Sequence, residues 1–62
     1  MTFIIYNSSQ ESYFAHNDGR LWPWEEDRSM AYEYKDREKA NEAALKLNNY
    51  LCQDDQLVVM TK

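Results

Sequence analysis

The sequence predicts one α+β domain: a small, mostly antiparallel sheet in the order β-β-(β)-β-α-β, with a single helix packed on one face. Three observations carry that prediction. Aromatic and β-branched residues cluster in short runs near both ends, at Thr2–Tyr6 and Gln56–Thr61. One long stretch, Ala40 to Leu51, repeats apolar residues at helical spacing. Turn-forming residues separate the rest, and Asn17-Asp18-Gly19 is the clearest group.

In chain order, the first strand covers residues 2–6 and ends at Asn7-Ser8-Ser9. A loop of hairpin length, Asn7 to Glu11, leads to a second strand over residues 12–16. Gly19 takes a positive φ without steric cost, which suits the turn that it closes. A short third strand, Arg20 to Trp22, is stopped by Pro23, which has no N–H for a ladder. Residues 25–29 read as a charged loop or a helical turn. The alternation of Met30, Tyr32 and Tyr34 favours a strand over residues 30–34. Asp36 then caps the helix, and Glu38 meets the positive end of its dipole. Ala40, Ala43, Ala44, Leu47 and Leu51 share one helical face, and Glu42 and Lys46 form a favourable i, i+4 pair. The small alanines let the helix lie close to the sheet. Asn48, Asn49, Gln53, Asp54 and Asp55 mark the way out of the helix. The last strand, residues 56–61, reaches the sheet by a right-handed crossover.

Composition narrows the function. A chain of 62 residues makes one domain, and a domain of this size buries only about 60% of its unfolded surface. Such domains usually need a staple. Cys52 stands alone, so no disulfide within the chain supplies one, and a lone cysteine fits a reducing, cytoplasmic setting. One Cys and one His, far apart, fall short of a zinc site, so neither metal nor cofactor is expected. Self-association or partner binding is the staple that remains. No apolar run approaches the roughly 20 residues of a membrane span, and the start reads as no signal peptide. The net charge of −4 argues against direct nucleic-acid binding, which needs clustered cations.

The strands carry more apolar surface than one helix hides. A sheet with one wet face should alternate apolar and polar residues. Here Ile4, Ile5 and Tyr6 are consecutive, as are Tyr13, Phe14 and Ala15, and Leu57 to Met60. Ile4, Tyr6 and Phe14 are therefore candidates for an interface with a second copy or another protein. The alternative is that aromatic edges and methionines simply clothe a very small domain. Trp22-Pro23-Trp24 is the most unusual local feature: two indoles on a rigid loop, serving as binding anchors or as the end of the core. Glu25, Glu26 and Asp27, with Glu11, Asp18, Asp54 and Asp55, make either an acidic binding surface or solvated loops diluted by Arg28, Lys35, Arg37 and Lys39. Leu45 and Tyr50 flank the helical stripe and either widen the buried face or extend a contact. Cys52 reads as a small buried hydrophobe. His16 has no Ser, Cys or carboxylate beside it in a catalytic pattern, and one Gly cannot build a phosphate loop, so no catalytic residue is expected.

Trp24, Ala31, Tyr34, Asp36, Ala40, Ala44 and Leu47 set out a pattern: a Trp, a charged stretch, an Ala and an aromatic three residues on, then a polar cap and an Ala-spaced helix. The pattern, over residues 22–51, resembles small, mostly uncharacterised phage and bacterial accessory proteins. Those usually have a Thr or Ser cap and a Phe where this chain has Asp36 and Tyr34. The resemblance implies a phage or mobile-element origin and a role in binding and inhibiting a host protein, and it implies no active site. The expectation is thus a non-enzymatic, homodimeric or host-protein-binding accessory protein. A nucleic-acid mimic and a small subunit of a larger assembly are the alternatives.

Overall fold

The computed structural model describes residues 1–51 and 55–62. Cys52, Gln53 and Asp54, and the side chain of Leu51, lie outside the described residues, and with them the expectations for Cys52 and Asp54.

Among the described residues, one antiparallel sheet and one α-helix make the domain. The strands are β1 (Phe3–Asn7), β2 (Ser12–Phe14), β3 (Trp24–Glu25) and β4 (Leu57–Thr61), in the spatial order β3-β2-β1-β4. The helix, α1, runs Arg37–Leu51. β1 is central. It pairs with β4 along its whole length, from Phe3 opposite Thr61 to Asn7 opposite Leu57. On its other side it pairs with β2 only at Tyr6–Tyr13 and Asn7–Ser12. Beyond that point β1 and β2 part, and the extended segment before the helix fills the fork. Tyr32 N–H donates to the Phe14 carbonyl at 2.8 Å, and Phe3 and Tyr34 exchange two hydrogen bonds at 2.7 and 2.8 Å. Tyr34 and β4 therefore flank β1 from opposite sides, and α1 crosses between them.

Asp36 caps α1 as its type suggests: its Oδ1 accepts the Glu38 N–H at 2.9 Å. Ala40 is wholly buried, and Ala43, Ala44 and Leu47 pack on a core of Ile5, Phe14 and Trp24 together with Tyr34, Leu57 and Val59. The alternation of β4 sends Leu57 and Val59 to this face and Val58 and Met60 to the other. Arg37 lies over the Phe3 ring at 5.6 Å, pinning the start of the helix to β1.

Three expectations need correction, and the first is the second strand, which ends at Phe14 and not at residue 16. The third strand is Trp24–Glu25 and not Arg20–Trp22. Pro23 precedes the paired residues instead of ending them, and its carbonyl still accepts from the Ala15 and His16 N–H groups. Residues 30–34 form no strand beyond the single bridge of Tyr34 to Phe3. The charged segment ahead of them contains a turn of 3-10 helix, Arg28–Met30, capped by the Asp27 carboxylate on the Ser29 N–H.

That segment matters most for the surplus of apolar surface. It leaves β3 at one edge of the sheet and reaches β4 at the other, where Arg28 donates to the Thr61 carbonyl at 2.8 Å and lies 3.7 Å from the Met60 sulfur. Lys62 and Glu33 complete the attachment at 3.2 Å, and Thr2 donates to Glu33 at 2.9 Å. The segment is thus a strap over the face opposite the helix. Ile4 and Ile5, which point to opposite faces, are both 0% exposed. The helix hides one and the strap the other. The second face is partly covered from within the chain, which the residue pattern alone does not reveal.

Candidate functional site

The strap and helix sort the candidate residues. Ile4, Phe14 and Trp24 are 0, 3 and 3% exposed, so the expectation that they meet a partner is corrected: they are core. A side chain enclosed on all sides has no area left to bury against another molecule. Tyr6 and Glu25 are half-buried, and Trp22, Glu26 and Asp27 are exposed. The two indoles thus divide. Trp24 sits edge-on to Phe14 at 6.0 Å between ring centres, while Trp22 remains 55% exposed.

Trp22 belongs to a loop held at several points. Ala15 and His16 donate to the Pro23 carbonyl, Tyr50 of α1 donates its hydroxyl to the Gly19 carbonyl at 2.7 Å, and Arg20 grips Asp18 through Nε at 3.0 Å and Nη2 at 2.7 Å. Gly19, at φ 82°, lets the chain turn there. The loop displays Leu21, 80% exposed, beside Trp22. Sequence reasoning missed Leu21 because it stood inside a supposed strand. The Asp18–Arg20 spacing ahead of Leu-Trp-Pro-Trp was the available signal. Tyr50 is bound here by its hydroxyl, while Leu45, 73% exposed, does not widen the buried face.

Trp22 opens onto a cleft of about 560 Å³ at the β3 edge, lined by His16, Arg20, Trp22, Trp24, Glu25, Glu26 and Asp27. Its charge is negative, because Arg20 is committed to Asp18. The Arg20 guanidinium holds the Asp18 carboxyl below its ordinary range. The Ser29 hydroxyl, then its N–H, does the same for Asp27. Asp55 instead takes a hydrogen bond from the buried Asn7 at 2.8 Å, by β4 on the far side of the sheet. Asp55 is therefore engaged at the β4 edge and does not line the cleft.

The sequence sets no carboxylate beside His16 in a catalytic pattern. In space it has one: its Nε2 lies 2.8 Å from Glu25 Oε2. Such a pair orients an imidazole, but the residues lining the cleft include neither hydroxyl nor thiol for it to activate. Among the described residues no cluster of three or more His, Cys, Asp or Glu is placed to hold a metal ion, and no helix is long and apolar enough to cross a membrane. A second depression, an open groove of about 600 Å³, runs between α1 and the Tyr32–Asp36 segment and is fringed by Lys35, Lys39 and Lys46. The same groove is interrupted by Glu33, Asp36 and Glu42, so its charge is mixed. No family model matches this chain, and no curated protein or solved structure matches it.

Proposed function

We propose that this chain is a non-enzymatic accessory protein that acts by docking on another protein through the β3 edge. One observation carries the reading: a loop tied down at Gly19, Asp18 and Pro23 holds Leu21 and Trp22 out in solvent beside the acidic cleft. Exposing two large apolar side chains costs a small domain solubility, and ordering the loop costs entropy in advance. Both costs lower the penalty of binding. A partner would offer an apolar pocket for the indole and cations for Glu25, Glu26 and Asp27. The resemblance of residues 22–51 to phage and bacterial accessory proteins supports reading that partner as a host protein whose function is blocked.

The test is capture of partners from a bacterial lysate with the wild-type chain and with two variants. Leu21→Ala/Trp22→Ala should release the partner, with Trp22 alone weakening affinity by about 2 kcal/mol. Glu25→Lys/Glu26→Lys/Asp27→Lys should mainly slow association and remove its salt dependence. Equal capture by a folded double-alanine variant would refute the assignment. Loss with the lysine variant alone, and none with the alanines, would favour the nucleic-acid mimic.

A further inference from the structure

The sheet has a second edge, and β4 leaves it open. The direction of each β4 backbone group follows from its hydrogen bonds. Lys62 N–H donates to the Thr2 carbonyl at 3.0 Å and Ser8 N–H to the Gln56 carbonyl at 2.9 Å, so even-numbered residues turn their N–H and C=O toward β1. Leu57, Val59 and Thr61 turn theirs outward. The Thr61 carbonyl is taken by Arg28. Leu57 and Val59 have no backbone partner among the described residues. Edge strands usually carry a charge, a proline or a bulge that discourages pairing. Leu57–Thr61 carries none of these, and Val58 is 47% exposed beside the edge.

We infer that β4 pairs antiparallel with β4 of a second copy, about a two-fold axis at Val58. In this register Leu57 faces Val59 of the partner and the reverse, which satisfies the free groups with four N–H···O bonds and leaves the Arg28 clasp intact. Val58 meets the partner's Val58 as a non-hydrogen-bonded pair, the closer of the two antiparallel pair types. Tyr6 pairs with both Val58 and Tyr13, and its ring lies 5.0 Å from that of Tyr13. The pairing therefore joins two such rows into one across both copies. The ends agree in charge. Asp55, at the start of each strand, comes alongside Thr61 of the other and the Arg28 guanidinium that holds its carbonyl. That complementarity, repeated by the two-fold, is what favours a second copy over a foreign strand. The product is one eight-stranded sheet with both helices on the same face.

Light scattering and amide hydrogen exchange test this at concentrations on the order of 100 μM, above the weak end of interface affinities. The wild type should show twice the 7.5 kDa of the chain, and exchange at Leu57 and Val59 should slow as concentration rises. Val58→Lys should return the mass to that of one chain by placing two ammonium groups opposite each other. Mixing Val58→Lys with Val58→Glu should restore a dimer, since only a register with position 58 opposite itself brings the two charges together. A wild type of single-chain mass with exchange independent of concentration would overturn the inference. So would a dimer that survives Val58→Lys. Val58 and Trp22 lie at opposite edges, so loss of this dimer leaves partner capture through Trp22 unchanged, and the two readings fail separately.

Discussion

The two edges of this sheet solve the same problem in opposite ways. At the β3 edge only Trp24 and Glu25 are paired, Pro23 stands before them, and Glu26 and Asp27 follow. A foreign strand finds a short, charged ladder there, so what the edge offers is side chains: Trp22, Leu21 and three carboxylates. At the β4 edge five residues are paired and none is charged. What that edge offers is main chain. The difference is what the two proposals rest on: they assign a selective surface to one edge and a self-complementary one to the other. The strap links the two, leaving β3 and fastening on β4 through Arg28.

The comparison is broken most severely at Trp24. Trp24→Ala empties the core beneath the β3 edge and should cost about 3–5 kcal/mol, enough to unfold a domain of this size, whereas Trp22→Ala should change urea stability by less than about 0.5 kcal/mol. Equal effects would mean that the two indoles are not divided between core and surface. Trp24→Phe sharpens the point. The indole N–H is buried without a partner among the described residues, so its loss offsets part of the lost packing, and Phe should be far milder than Ala.

Arg28→Ala acts at the other edge. It removes a charged hydrogen bond to the Thr61 carbonyl and should lower stability by about 1–2 kcal/mol. Hydrogen exchange should rise together at Ala31, the buried residue of the strap, and along β4. A rise confined to residues 28–30 would show that the strap does not hold the sheet face. Glu11, in the β1–β2 loop, has φ 50°, a conformation that costs a residue with a Cβ. Glu11→Asn should raise stability modestly, by about 0.5 kcal/mol, read from urea unfolding.

The smallest effect is invisible at neutral pH. Burial, then the neighbouring Tyr32, pushes the Tyr34 phenol up to about 12 from its ordinary value of 10.0. Below pH 10 the group is neutral whether the chain is folded or not. Between 10 and 12 the unfolded chain ionises first, so stability falls as pH rises. Tyr34→Phe should remove this part of the alkaline loss, read by thermal melts across that range.

The helix was legible because Ala40, Ala43, Ala44 and Leu47 repeat with the period of a helix and Asp36 can cap nothing else nearby. β1, β4 and the Gly19 turn were legible for equally local reasons. The strap was not. The alternation of Met30, Tyr32 and Tyr34 points to a strand, but the conformation of residues 26–33 depends on Thr61 and Thr2, some thirty residues away in sequence. For that reason the surplus of apolar residues on β1 was readable but its covering was not, and Ile4 looked like interface when it is core. At the candidate site, the exposure of Trp22 and the burial of Trp24 follow from Pro23 turning the chain into the ladder. No property of either indole distinguishes them beforehand. The closeness of His16 to Glu25 likewise depends on β2 and β3 lying side by side.

The central position of β1 has a consequence for how the protein is made. Its full-length neighbour is β4, so Ile4 and Ile5 emerge from the ribosome long before the residues that flank them. Folding must wait for contacts that are distant along the chain, which slows it and leaves a greasy early segment for chaperones to shield. A nascent chain stalled after the helix would hold its most apolar strand without its longest ladder, and proteases should find it readily.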